Sequence, residues 1–159
     1  MDTKNVLKLV FSIIVCELAG VVGSVFTYDS IREWYIGIHK PFFTPPNAVF
    51  PLVWTTLFLL MGVSLYLVLK EDYKKPKVKT AISVFSIQLL LNITWSFLFF
   101  GLRNPFYAFV EIFVLWIFIL LTIYQFWKVK KEAAYLLVPY IAWVSFAIAL
   151  NYFIWVLNV

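Results

Sequence analysis

The sequence predicts an all-α integral membrane protein, a single bundle of five transmembrane helices with a long first loop that forms a lid. Three observations lead there. The 159 residues are 64% hydrophobic and 13% charged, far from the roughly half apolar, quarter charged balance of soluble domains. Five apolar segments, at about 6–27, 48–69, 78–101, 106–127 and 133–157, are each long enough for a hydrocarbon core about 30 Å thick. The one long connector, 28–47, holds Pro41, Pro45 and Pro46 among aromatic residues. No room is left for a soluble domain, so the chain reads as one unit, 1–159.

The first segment follows Lys4 and Lys8 and so resembles a signal peptide, but its apolar run is longer than a usual h-region and it reads as a retained helix. Cys16 is the only cysteine, which excludes an intrachain disulfide and leaves the redox compartment open. Glu17, Gly20 and Ser24 share a stripe directed into the bundle. The small residues Ala19, Gly20, Gly23 and Ser24 fit close helix packing.

The connector that follows reads "HKPFFTPPNAVFPLVW" from 39 to 54. Proline fixes φ and pushes the residue before it toward extended geometry, so the loop is stiff. Pro51 falls in the first turn of the second helix, with Trp54 one turn further in. A rigid aromatic loop on a bundle serves as a lid, or as an interfacial anchor through Trp34, Tyr35, Phe42 and Phe43. From the loop alone both readings stand.

The remaining helices favour the lid. In the third, Gln88, Asn92, Trp95 and Phe99 are spaced four, three and four apart, one stripe of a 3.6-residue helix. The fifth repeats the pattern with Tyr140, Trp143, Ala147 and Asn151. In the fourth, Glu111 reads as a helix-to-helix hydrogen bond, with a proton relay or a ligand contact as the alternatives. Trp116, Trp127 and Trp155 read as lipid-facing or interfacial anchors. His39, the sole histidine, reads as an exposed loop residue, since axial haem ligation needs a fixed, buried imidazole.

The net charge of +5 does not imply nucleic acid, because the charges sort by membrane side. With alternating helices, Lys4, Lys8, Lys70, Lys74, Lys75, Lys77, Lys79, Lys128, Lys130 and Lys131 fall on one side, and Arg32, Lys40 and Arg103 on the other. The positive-inside rule then sets the N-terminus in the cytoplasm and the first loop and C-terminus outside. The run "KEDYKKPKVK" is a solvated topogenic turn, with anionic headgroups of membrane lipid as a second possible contact.

Chain direction brings Trp54, Trp95, Asn92 and Asn151 into the same half of the membrane, beneath the proline-rich loop. Flat rings with a few amides under a stiff roof suit a large planar apolar ligand, and Ala147 leaves it space. The competing reading is that Gln88, Asn92 and Asn151 only cross-link helices, at about 0.6 to 2 kcal/mol per contact. Taken together, the set favours a pocket.

Three stretches also resemble a known family: "EWYIGIHKPFFTPPNAVFPLVW" at 33–54, "LNITW" at 91–95 and "PYIAWVSFAIALNYFIW" at 139–155. In this order they are similar to the tryptophan-rich sensory protein family, which includes the mitochondrial translocator protein or peripheral benzodiazepine receptor. The resemblance implies a five-helix bundle, a homodimer, in a bacterial or archaeal cell membrane. It implies a pocket under the first loop that takes protoporphyrin IX or haem, and benzodiazepine or isoquinoline carboxamide compounds, with no cofactor required. By motif position it assigns Trp34, Pro45, Pro46, Trp54, Asn92, Trp95, Trp143, Ala147 and Asn151 to pocket or lid; Tyr140 joins them through its stripe. Two departures stand out. Phe42 or Phe43 stands where many relatives have tryptophan, and nothing basic follows Tyr152, which counts against cholesterol as a partner.

Hydrolytic chemistry is not expected, with one histidine, no nucleophile paired to a base and no cluster of metal ligands. The resemblance raises one other activity, light- and oxygen-dependent breakdown of protoporphyrin IX with Trp54 and Trp143 participating and the pigment supplying the chemistry. Three function classes follow: a tetrapyrrole sensor or scavenger, a photochemical enzyme, and a transporter of porphyrins or sterols. The absence of an internal repeat and the odd helix number disfavour an inverted-repeat carrier.

Overall fold

The computed structural model describes residues 3–159. The elements are α1 (Thr3–Ser30), continuing through a π-helical turn at Ile31–Tyr35; α2 (Val49–Leu69); α3 (Pro76–Ser96), continuing through a second π-helical turn at Phe97–Gly101; α4 (Pro105–Val129); α5 (Lys131–Tyr135); and α6 (Val138–Leu157). They make five helical spans of membrane-crossing length and hydropathy, α5 and α6 together forming the fifth. The described residues contain no strand.

Two boundaries differ from expectation, each for a local reason. The first helix runs on to Tyr35, so the connector is 36–48 rather than 28–47. Asp29, Arg32 and Glu33 lie on the exposed face of this extension while Ser30 and Tyr35 are buried, and no proline or glycine interrupts the chain between Gly23 and Gly37. The fifth span is broken between Tyr135 and Val138. Pro139 has no N–H to donate, and its ring crowds the carbonyl four residues back, at Tyr135. By contrast, Pro76 and Pro105 open α3 and α4, where the first N–H groups lack helical partners in any case. Asn104 caps α4 by accepting from the Tyr107 N–H at 3.1 Å.

Packing runs around a ring: α1 touches α2 and α3, α3 touches α4, α4 touches α6, and α5 closes back onto α2. The α1–α2 approach depends on glycine. A Cβ on Gly62 would lie 2.7 Å from the Cα of Ile13, and one on Gly20 would lie 2.7 Å from the Phe58 ring. In this respect the small residues of α1 do serve close packing.

The two ends of the bundle differ. At the end away from residues 36–48 the core is filled by buried Met61, Val68, Phe85, Phe126 and Leu137, with Phe85 and Phe126 stacked at 5.5 Å. Polar ties close it: Ser64 donates to the Ala133 carbonyl at 2.7 Å, Lys8 to that of Leu69 at 2.8 Å and Lys77 to that of Lys128 at 3.2 Å. The lysines thus satisfy carbonyls at helix C-termini, where positive charge is also favourable. At the other end the helices enclose space.

Candidate functional site

A cavity of about 390 Å³ opens in the half of the bundle that carries residues 36–48. Its size is within the usual range for small-molecule sites. α1 contributes Glu17, Gly20, Gly23 and Ser24; α2 contributes Phe50, Pro51, Trp54 and Phe58; α3 and its π turn contribute Trp95, Ser96, Phe99 and Phe100; α6 contributes Trp143, Ala147, Leu150 and Asn151. Small residues on one wall face rings on the others.

The π turn explains how α3 presents so many rings. The Leu102 N–H bonds the Phe97 carbonyl at 2.8 Å, five residues back, and the wider turn lets the consecutive Phe99 and Phe100 both border the cavity. Trp95 stacks on Phe99 at 5.2 Å with an 18° interplanar angle. Its indole Nε1 donates to Asn151 Oδ1 at 3.2 Å, and Asn151 Nδ2 donates to the Ala147 carbonyl at 2.8 Å. Both rings and amide are therefore held in place, as a preformed site requires. On α6, Trp143 meets Phe50 at 6.0 Å and Phe146 at 5.5 Å.

Of the residues singled out from the sequence, Trp54, Trp95, Trp143, Ala147 and Asn151 line this cavity; Trp34, Pro45, Pro46, Asn92 and Tyr140 do not. Asn92 and Tyr140 lie deeper, in a buried chain of polar groups. Asn92 Nδ2 donates to the Tyr140 hydroxyl at 2.8 Å, which donates to Gln88 Oε1 at 3.1 Å. This chain joins α3 to α6, while the Tyr140 ring meets Trp54 edge-on at 6.4 Å. Asn92 and Gln88 thus make the helix cross-link that was the competing reading. Glu111 is also buried, and neither of its carboxyl oxygens has a hydrogen-bond partner.

Trp34 backs the wall by packing edge-on against Phe99 at 5.5 Å. Pro46 shapes the entry to α2, its carbonyl accepting from the Val49 N–H at 2.9 Å. Asn47, the residue after Pro46, borders the cavity. The loop is tied to the chain's C-terminal end: the His39 N–H donates to Asn158 Oδ1 at 2.9 Å, and Asn158 Nδ2 donates to the His39 carbonyl at 2.8 Å. Phe43 packs against Phe153 at 5.5 Å, and at the same end Arg103 pairs with Glu33 at 2.6 Å.

The sequence reading missed Tyr35, Asn47, Phe50, Phe58, Ser96, Phe100 and Leu150 among the lining residues. Asn47 had a signal, an amide directly after two prolines at a helix entrance. Trp116, which does not line the cavity, also ties two helices: its Nε1 donates to Ser145 Oγ at 2.8 Å, linking α4 to α6. Among the described residues no His, Cys, Asp or Glu side chains converge in a group able to hold a metal.

The sequence profile of the TspO/MBR family matches residues 12–156. The chain belongs to the TspO/MBR family. Among its relatives, the tryptophan-rich protein TspO of Chlorobaculum tepidum is 45% identical over 155 residues, covering 98% of each chain. The tryptophan-rich protein TspO of Archaeoglobus fulgidus is also 45% identical, over 97% of this chain and 99% of that one. The human translocator protein is 37% identical over 140 residues, 87% of this chain and 83% of that protein. Family membership and five apolar spans make this an integral membrane protein.

Proposed function

We propose that this TspO/MBR protein binds tetrapyrroles, protoporphyrin IX or haem, as a membrane sensor or scavenger. One observation carries the reading: a preformed cavity in which the indoles of Trp54, Trp95 and Trp143 face small residues of α1, with Asn47 and Asn151 as amides at its border. Flat macrocycles gain most from such walls, since rings offer stacking and amides fix orientation. The same shape suits benzodiazepine and isoquinoline carboxamide compounds. Residues 36–48 act as the lid, and the Asn158 clamp limits the entropy lost when a ligand is enclosed. In the orientation given by the lysine bias, lid and C-terminus face outward in a cell membrane.

Dark titration of the purified protein in nanodiscs tests this reading. Protoporphyrin IX quenches tryptophan fluorescence saturably, and Trp143→Leu weakens that binding; linear quenching shared by both proteins would refute it. A second reading, light-dependent porphyrin breakdown, draws support from Trp54 and Trp143 bordering one cavity. If Trp54→Phe and Trp143→Phe degrade bound pigment at the wild-type rate under illumination, that reading is wrong. A transport role predicts porphyrin flux into proteoliposomes.

A further inference from the structure

The cavity lining contains one carboxylate, that of Glu17, and no lysine, arginine or histidine. Glu17 lies at the deep end of the site, beside Gly20, Gly23 and Ser24 on the same helix. At 1.5 Å per residue it stands about 14 Å from Lys8 and about 27 Å from Tyr35 along the helix axis. It is therefore well inside the apolar span Thr3–Tyr35. Neither ion pair of the described residues involves it; these are Arg103–Glu33 and Lys130–Glu132.

An acidic side chain at such depth is costly unless it meets water, a partner or a ligand, and it marks a functional position. Glu111, the other acid within the bundle, is buried away from the cavity. Of the two acids, Glu17 alone borders the cavity. Gly20 and Gly23, further along the helix, are covered by the Phe58 ring and the Ser96 side chain, and the Glu17 carboxylate borders the cavity below them.

We propose that Glu17 is a specificity-determining residue of this site, selecting planar aromatic ligands that carry a protonated nitrogen over neutral planar ligands of the same size. The inference rests on the reading of the cavity as a site for flat ligands and adds a chemical preference to it. The positive nitrogen lies against the carboxylate at the cavity floor, and the ring system lies between the indoles of Trp54, Trp95 and Trp143. For a ligand bearing carboxylates, the same charge directs them away from the floor toward the Asn47 end.

The test uses 9-aminoacridine, a planar cation, and anthracene, its neutral counterpart. Each is titrated by fluorescence into the full chain in nanodiscs of zwitterionic lipid, against empty nanodiscs. Wild type binds the cation more tightly, and Glu17→Gln, which keeps size but removes charge, weakens it about tenfold or more, the value of a charge-assisted contact. Anthracene affinity stays unchanged in that variant, which also shows that the cavity is intact. Equal affinity for both probes in wild type, a result that needs no variant, would overturn the proposal. So would an unchanged or equally reduced affinity for both in Glu17→Gln. If protoporphyrin IX and anthracene bind saturably while the cation shows no preference, the Glu17 role fails alone; if none of the three saturates, the flat-ligand reading fails with it.

Discussion

Tyr140→Phe separates the polar chain beneath the cavity from the cavity itself. The substitution keeps the ring that meets Trp54 at 6.4 Å and removes only the hydroxyl. That hydroxyl accepts from Asn92 at 2.8 Å and donates to Gln88 at 3.1 Å, both between buried groups. Side-chain hydrogen bonds between membrane helices average about 0.6 kcal/mol and reach about 1.7, so losing two costs about 1 to 3 kcal/mol. The upper part of that range is expected, because Gln88 Nε2 already lacks a partner and the lost bond leaves Gln88 less satisfied still, while Asn92 loses its acceptor. Unfolding in mixed detergent and sodium dodecyl sulfate micelles, followed by circular dichroism, measures the loss. Protoporphyrin IX affinity, measured in parallel, stays at the wild-type value because Tyr140 does not line the cavity. Wild-type stability with weakened porphyrin binding would refute the assignment of this chain to helix packing.

Two further predictions concern the frame around the site. Gly62→Ala drives a methyl group against the Ile13 backbone, 2.7 Å away; overpacking of this kind costs about 1 to 3 kcal/mol, whereas Gly37→Ala, with its nearest atom at 3.6 Å, leaves the unfolding midpoint unchanged. Asn158→Ala removes both bonds to the His39 backbone, so amide hydrogen exchange rises in residues 38–44 while α2 and α4 keep wild-type protection; unchanged exchange in the loop would mean that Phe43 packing alone holds it.

The spans were legible because membrane thickness dictates their length and composition dictates their character. The convergence of Trp54, Trp95, Trp143, Ala147 and Asn151 was legible as well, since helical spacing and chain direction put them on facing stripes in the same half of the bundle. The stripes did not reveal depth. Asn92 and Tyr140 share faces with Trp95 and Trp143 but lie about a turn deeper, where the helices have closed on one another and an inward side chain meets protein instead of space. The π turns were also hidden, because a uniform 3.6-residue period cannot show where Phe99 and Phe100 both reach one cavity. The cavity wall on α1 escaped for a chemical reason: Gly20, Gly23 and Ser24 signal close packing, which Gly20 does make with Phe58 and Gly23 with Ser96, and the spacing does not show that the same stripe borders the cavity. Glu17 was legible as inward-facing, yet only the three-dimensional arrangement sets it apart from Glu111.

The most direct test of the account fills the cavity. Ala147→Phe puts a ring into the space between Trp143 and Asn151, and equilibrium binding of protoporphyrin IX in the dark is measured for this variant and for wild type in the same nanodiscs. The account predicts saturable binding to wild type and none to Ala147→Phe, with the helical content of the two proteins alike. Porphyrin bound by Ala147→Phe with wild-type affinity would place the ligand elsewhere and contradict the assignment of this cavity as its site.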